Sequence, residues 1–249
     1  MSNQLTVSII TVTFNCVKYV ERAIQSVCTQ TYPNIEYLII DGCSTDGTID
    51  VINRYHDNID CFISEKDSGI YNAMNKGIKN ASGDILFFLN ADDRFTDSGV
   101  VDDIVNEFNK NPDMDLIYGD VVQEFPDARK RWIQSTTLSR IKLAMGTISH
   151  QSIFAKKELF IITNGFSEQY KIVGDFVWLM KLAHLNINSM HLKRDITIVC
   201  TEGVSNTTEW ENERLIAMRQ HYSTIEIFFL RILPRKIGII IKYIKKIIR

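Results

Sequence analysis

The chain has 249 residues, 45% of them apolar and 23% charged, with 4 prolines and 12 glycines, which excludes a disordered, collagen-like or disulfide-dense chain. That length suits one domain with an appendage and is too short for two enzymes joined end to end. The formal charge of −2 divides unevenly: the stretch after Glu226 carries seven basic residues and no acid, which leaves the body before it at −9, so no nucleic-acid partner is expected.

The opening MSNQLTVSIITV lacks the positive n-region and small-residue cleavage site of a secretion signal, so it reads as a first core strand and a cytoplasmic location is expected. After TVSIITVTF, a helical stretch over 17–30 precedes the strand IEYLII, and one over 48–56 precedes DCFIS. A third over 70–80 precedes DILFFL, and a fourth over 98–109 precedes DLIYG. Continuous apolar strands separated by helices imply βαβ units, hence an α/β fold with a mostly parallel sheet covered on both faces. Past about residue 120 the alternation weakens. VVQEF and RKRWIQ are expected to pair, IKLAM to form a short helix, and SHQSIFA to be a strand after a polar turn. Residues 175–185 predict a helix opened by an acid, and ITIVC a late strand. A body over 1–222 and a tail over 223–249 follow.

In such sheets ligands collect at the carboxyl ends of the strands. The unusual polar residues fall there: Asn15 after the first strand, Asp41-Gly42 after the second, Glu65 to Gly69 after the third, and Asn90 to Asp93 after the fourth. Neither G-x-G-x-x-G nor a P-loop follows the first strand, where the chain has TFNCVKYVERA. Acids at strand ends would repel a diphosphate, which points to a divalent cation of the Mg²⁺ or Mn²⁺ kind between them. The five cysteines are scattered, with no C-x-x-C pair, and are expected to be reduced, mostly buried thiols. Gly77 lies inside a helical pattern, where it costs about 1 kcal/mol relative to Ala, so close backbone approach is expected.

Taken together, SIITVTFN, EYLIIDGCSTDGT, SEKDSGIYNAMNKGI, ASGDILFFLNADD, SHQSIF and GDFVWLMKL resemble glycosyltransferase family 2, the inverting transferases of the GT-A fold, from about residue 5 to about 205. The nearest likeness is to bacterial enzymes of cell-surface polysaccharide or lipopolysaccharide synthesis. The resemblance implies that Thr13, Phe14 and Asn15 line a uracil pocket and that Asp41 accepts from the base N3–H. Asp41 suits a turn before Gly42 equally. Asp67 and Asn75 would face ribose or diphosphate. Asn90 stands where the family's D-x-D has its first acid, so it would join Asp92 in nucleotide-sugar binding, while Asp92 and Asp93 hold Mn²⁺ or Mg²⁺. Asp175 would take the acceptor proton, and a helix-capping role for it is compatible. Related enzymes often have Glu-Asp where this chain has Gly174-Asp175. His150 and Gln151 would lie on the acceptor or diphosphate side. His184, His191 and His221 are expected to be structural, and Trp132 and Trp178 core or rim. The Q-x-x-R-W signature of processive synthases is absent, which implies addition of a single sugar from a UDP-sugar to a lipid-linked or other glycan acceptor. Two rivals stay open: a sugar nucleotidyltransferase, and an inactive nucleotide-sugar binding module.

In the tail, Ile237, Ile240, Ile241, Ile244, Ile247 and Ile248 recur at helical spacing, with Lys242, Lys245, Lys246 and Arg249 between them. This predicts a C-terminal basic amphipathic helix lying on an anionic membrane surface, and therefore a peripheral position on the inner face of the cell membrane. A helix packed on the core or in an oligomer is the alternative.

Overall fold

The computed structural model describes residues 4–134, 137–185, 187–200 and 208–227. Strand β1 (Val7–Thr13) is buried at every position and lies at the centre of the parallel half of the sheet. It pairs in parallel with β2 (Ile35–Asp41) on one side and β4 (Ile85–Asn90) on the other, and β3 (Cys61–Ser64) continues the parallel series beyond β2. The carboxyl ends of all four strands therefore share one edge.

Alternation along the strands builds two cores. Ile10, Val12, Leu38, Ile40, Leu86 and Phe88 face one layer, and Val7, Ile9, Ile39, Phe87 and Leu89 the other. Helices α1 (Val20–Cys28), α2 (Thr48–Asn53) and α4 (Val100–Lys110) bury their apolar stripes against the second set. On the first lies α3 (Ile70–Asn80), where Gly77 brings the helix down on β1: a Cβ there would run into the Ile10 side chain. The close approach expected of Gly77 is what this contact requires.

Beyond β4 the sheet becomes mixed. The DLIYG and VVQEF runs form one long strand, β6 (Leu116–Phe125), and it does not lie beside β4. Between them runs β8 (Ile153–Lys156), antiparallel to both. On the far side of β6 lies β9 (Ser189–Cys200), parallel to it, and β5 (Arg94–Phe95) closes that edge antiparallel to β9. The hairpin partner β7 (Ala128–Trp132) pairs antiparallel with β6, as the alternation in that region predicts.

The remaining helices thicken the first layer: α5 (Arg140–Met145), α6 (Lys157–Thr163), α7 (Gly174–Leu182), α8 (Thr208–His221) and α9 (Thr224–Ile227). Trp178 belongs to this core. Its ring stacks on Phe160 with centroids 4.5 Å apart, and its indole N–H donates to Thr163 Oγ1 at 3.0 Å. Trp132 sits at the hairpin rim, 37% exposed.

Three expectations need correction or limit. None of the cysteines is fully buried: Cys28 and Cys43 are exposed, and Cys16, Cys61 and Cys200 half-buried, all with free thiols. The reason is position, since they fall in loops or on the first or last residue of an element rather than mid-strand. Ile227, in the stretch expected to be tail, is buried in the first core. The amphipathic segment from Ile237 to Arg249 lies outside the described residues. Among the described residues, no helix is long and apolar enough to cross a membrane.

Candidate active site

The shared strand edge opens on a cleft of about 510 Å³. Its floor comes from the ends of β1 and β4, one wall from the start of α3, and another from the His150–Ser152 turn and the loop before α7. Thr13 and Phe14 line it, Phe14 with its ring 63% exposed at the mouth and Thr13 with a buried hydroxyl that has no partner. Asp67 also lines it, its Oδ1 accepting from the Gly69 N–H at 3.0 Å.

Four of the expected site residues, Asn15, Asp41, Asn75 and Asp175, stand outside its lining. Asn15 adopts φ 48°, the left-handed region that Asn tolerates better than most residues, and turns into a loop contact. Its Oδ1 accepts from the Thr45 N–H at 2.9 Å and its own N–H donates to Ser44 Oγ at 2.8 Å. Asp41 is fully buried. Three donors reach its oxygens: the Ser44 N–H at 2.9 Å, Ser44 Oγ at 2.5 Å and Ser64 Oγ at 2.7 Å, a pattern that suits the turn before Gly42. Asn75 meets the loop before α7, accepting from the Phe166 N–H and donating to the Phe166 carbonyl and Glu168 Oε1, each at 2.9 Å. For Asn15, Asp41 and Asn75, local groups engage the polar atoms in this structure.

The acidic end is different. Asp93 is 2% exposed; its Oδ1 accepts from the Cys200 N–H at 2.9 Å, while Oδ2 is buried without a partner. Burial, reinforced by the neighbouring Asp92 charge, pushes the Asp93 carboxyl up to about 7. Burial also raises Asp92. A buried carboxylate oxygen left without a donor, beside a second carboxylate on the cleft, is chemistry that a hard divalent cation satisfies. Among the described residues no group of three or more acid, His or Cys side chains is gathered for a metal, so the fit is to a cation held by two carboxylates and completed by water or phosphate oxygens. Cys16, also on the cleft, is pushed up to about 12 by burial and these acids, and stays a neutral thiol.

His150 and Gln151 also line the cleft, His150 within charge reach of Asp92 and Asp93 and Gln151 beside Asp93. His150 Nδ1 lies 3.0 Å from Asp175 Oδ2, and its Nε2 lies 3.5 Å from Asn90 Oδ1. The other Asp175 oxygen, Oδ1, accepts from the Tyr71 hydroxyl at 3.0 Å, and that hydroxyl also reaches the Ile172 carbonyl at 2.6 Å. Asp175 itself is absent from the lining, although its side chain is 19% exposed against 14% for His150. Burial alone would raise its pKa, yet the His150 hydrogen bond and charge outweigh it and hold the carboxyl below its ordinary value. The N-cap of α7 is Val173, so Asp175 sits in the first turn and does not cap the helix. Gly174 has a local reason: a Cβ there would lie 2.7 Å from the Tyr71 ring.

Several participants carried no signal in the sequence. Tyr71, Lys171 and Ile172 all line the cleft, and Lys171 is the one Lys or Arg among its lining residues. Glu213, on α8, accepts from the backbone N–H groups of Lys171, Ile172 and Val173 at 2.7, 2.7 and 3.0 Å and so fixes the loop that carries them. His191, buried against Asp120 at 2.8 Å, and Trp178 are structural as expected.

A model of the Glycosyl transferase family 2 matches residues 8–171. A PGL/p-HBAD biosynthesis glycosyltransferase of Mycobacterium bovis is 31% identical over 172 residues, 68% of this chain; the chain spans 66% of that relative's length, just short of two thirds. Among solved structures, residues 1–349 of S. aureus TarS in complex with UDP-GlcNAc align with TM-score 0.72 and 18% identity over 91% of this chain and 68% of that fragment. The mannosyltransferase PcManGT of Pyrobaculum calidifontis, in complex with GDP-Man and Mn²⁺, aligns with TM-score 0.65 and 18% identity over 88% of this chain and 64% of its own. At such identity the structural likeness is one of fold, and the matched family model carries the kinship. Parallel sheet, strand-edge cleft and family match agree: the chain belongs to glycosyltransferase family 2, with the GT-A fold.

Proposed function

We propose that this chain is a metal-dependent inverting glycosyltransferase, moving one sugar from a UDP-sugar to a hydroxyl of a lipid-linked glycan in cell-surface polysaccharide synthesis. One observation carries the reading: one cleft is lined by Asp92 and Asp93, the latter with a buried carboxylate oxygen that has no partner among the described residues, and by His150, which is hydrogen-bonded to Asp175. A leaving nucleoside diphosphate and an attacking hydroxyl need those two environments at once.

Asp92 and Asp93 would hold Mn²⁺ or Mg²⁺, which when bound offsets the charge gained by the departing diphosphate. Phe14 would offer a ring face to the base, Thr13 a free hydroxyl, and Asp67 and Asn90 would meet the ribose and sugar side. Gln151 and Lys171 would face the diphosphate or acceptor. The choice of UDP is supported by the UDP-GlcNAc complex of TarS, and that of Mn²⁺ by the PcManGT complex. A place in a biosynthetic pathway is supported by the name of the mycobacterial relative. The basic tail would bring the cleft to an anionic membrane face, which matches a lipid-linked acceptor.

The test is calorimetric titration of UDP and UDP-sugars with Mn²⁺ present and absent, followed by transfer assays over a donor panel. Binding should require the metal and vanish in Asp92→Ala/Asp93→Ala. Metal-independent binding of equal strength in that double variant would sink the cation assignment. Pyrophosphate release from a nucleoside triphosphate would favour a nucleotidyltransferase instead.

A further inference from the structure

We propose that Asp120 is a positioning residue of the transfer site: through Gln134 it sets the turn that presents His150 to the cleft; this rests on the transfer reading above. Asp120 is 2% exposed and Gln134 3%, and neither lines the cleft. A buried carboxyl group is costly unless its oxygens are met, and those of Asp120 are. Oδ1 accepts from the Gln134 backbone N–H at 2.9 Å and lies 2.8 Å from His191 Nε2, while Oδ2 faces the Arg131 guanidinium at 3.1 Å.

The backbone aims Asp120 at these partners. The pairing of β6 with β9 loses register on both sides of it, and Gly119 lets the two strands close up there, since a Cβ would run into the Arg194 carbonyl oxygen. Such irregularities re-aim a side chain and occur preferentially beside active sites.

Gln134 passes the position on. Its Nε2 donates to the Trp132 carbonyl at 3.2 Å and its Oε1 accepts from the Ser149 N–H at 2.9 Å. Those two partners fix the amide's orientation, because a carbonyl only accepts and an N–H only donates. Ser149 precedes His150 and ties the same turn twice more: its carbonyl accepts from Ser152 Oγ at 2.9 Å, and its hydroxyl donates to Gln151 Oε1. From β9, Thr197 Oγ1 donates to the Gln151 carbonyl at 2.7 Å. The turn therefore hangs from β6 through Asp120 and Gln134 and from β9 through Thr197. It offers His150 and Gln151 to the cleft, with His150 Nδ1 held 3.0 Å from Asp175 Oδ2. A misplacement of about 1 Å at such a group costs up to about 100-fold in rate, which is what the tether prevents.

The experiment is a double-mutant cycle on kcat for Gln134→Met and His150→Asn, with thermal melts showing that each variant is folded at the assay temperature. Gln134→Met keeps the length of the side chain and its backbone bond to Asp120 but removes the acceptor of the Ser149 N–H. It should lower kcat by more than about fivefold in the wild-type background and by less than about twofold in His150→Asn, since the effect passes through His150. A merely structural bond would lower Tm and leave the rate of the folded protein alone, or lower that rate equally in both backgrounds. Asp120→Asn, whose amide oxygen can still accept from the Gln134 N–H, should keep at least about fivefold more of kcat than Asp120→Ala; if Asp120→Ala does not fold, the cycle decides. In a protein that binds UDP and transfers sugar, a Gln134→Met loss below about fivefold, or one above about twofold in His150→Asn, refutes the positioning role by itself. So does an Asp120→Asn no better than a folded Asp120→Ala. A wild-type protein that binds no nucleotide and transfers no sugar removes the positioning role and the transfer reading together.

Discussion

Glu213 offers the sharpest test of how the cleft wall is held. Its carboxylate gathers three consecutive backbone N–H groups, those of Lys171, Ile172 and Val173, at 2.7, 2.7 and 3.0 Å. Glu213→Ala leaves all three without their acceptor. The Lys171 group is exposed, so water replaces its bond; those of Ile172 and Val173 are partly buried, and each bond to a charged acceptor contributes about 1.5–3 kcal/mol. Because losses at one acceptor are not independent, the expected destabilisation is about 3 kcal/mol rather than the full sum. In a chain of this size that lowers Tm by about 6–12 °C. The same loop supplies the Ile172 carbonyl to the Tyr71 hydroxyl, so the cleft wall it forms should loosen and transfer should fall further than UDP binding. Circular dichroism melts with calorimetric UDP titration measure both effects. Glu209→Ala, in the first turn of the same helix, is the control and should cost less than about 1 kcal/mol. A Glu213→Ala melt no lower than that of Glu209→Ala would refute the clamp.

The other predictions are independent of it. Gly174→Ala puts a Cβ 2.7 Å from the Tyr71 ring and should destabilise by about 1–3 kcal/mol, measured in urea, while displacing the Tyr71 contact to Asp175 and lowering kcat more than donor affinity. Asn75→Ala removes the partners of both Phe166 backbone groups and should cost about 1–3 kcal/mol of stability with UDP affinity unchanged; a large loss of affinity at unchanged stability would return Asn75 to the nucleotide site. Trp178→Ala empties a site stacked on Phe160 and should cost about 3–5 kcal/mol in urea unfolding. Glu124 is held down to about 2, chiefly by its hydrogen bonds from Arg94, against an ordinary value of 4.5. A depressed carboxyl stabilises the fold above its ordinary value and ceases to as pH falls. The Tm gap between wild type and Glu124→Gln should therefore be level above about pH 4.5 and close between there and about pH 2.

The parallel half of the fold was legible because its strands are continuous apolar runs of the right length, and a helix after each leaves only one way to cover both faces. The mixed half was not. That β8 inserts between β4 and β6 is decided by packing across a gap in sequence, and no local pattern records it. The site divides along the same line. Asp92 and Asp93 follow an apolar strand, where acids are conspicuous, and the structure leaves them on the cleft edge with an oxygen to spare. Asp41, Asn15 and Asn75 looked equivalent in sequence but were claimed by Ser44, Ser64, Thr45 and Phe166, partners visible only once the loops meet. Glu213 is the converse case, an ordinary helix acid whose role exists only because α8 reaches the loop before α7.

Two departures from the family pattern, Asn90 for an acid and Gly174 for Glu, gave the inactive binding module its weight. The geometry joins them. Asn90 meets His150 Nε2, His150 Nδ1 meets Asp175, Asp175 meets the Tyr71 hydroxyl, and the Tyr71 ring occupies the space that any side chain at 174 would need. An acid at 90 would pull a proton onto the imidazole face that looks into the cleft, and a Glu at 174 would expel the tyrosine that holds the second carboxylate oxygen. The two substitutions thus suit one hydrogen-bonded line rather than marking two separate losses. A chain that had merely shed its chemistry would have no reason to keep that line intact while relaxing both of its ends.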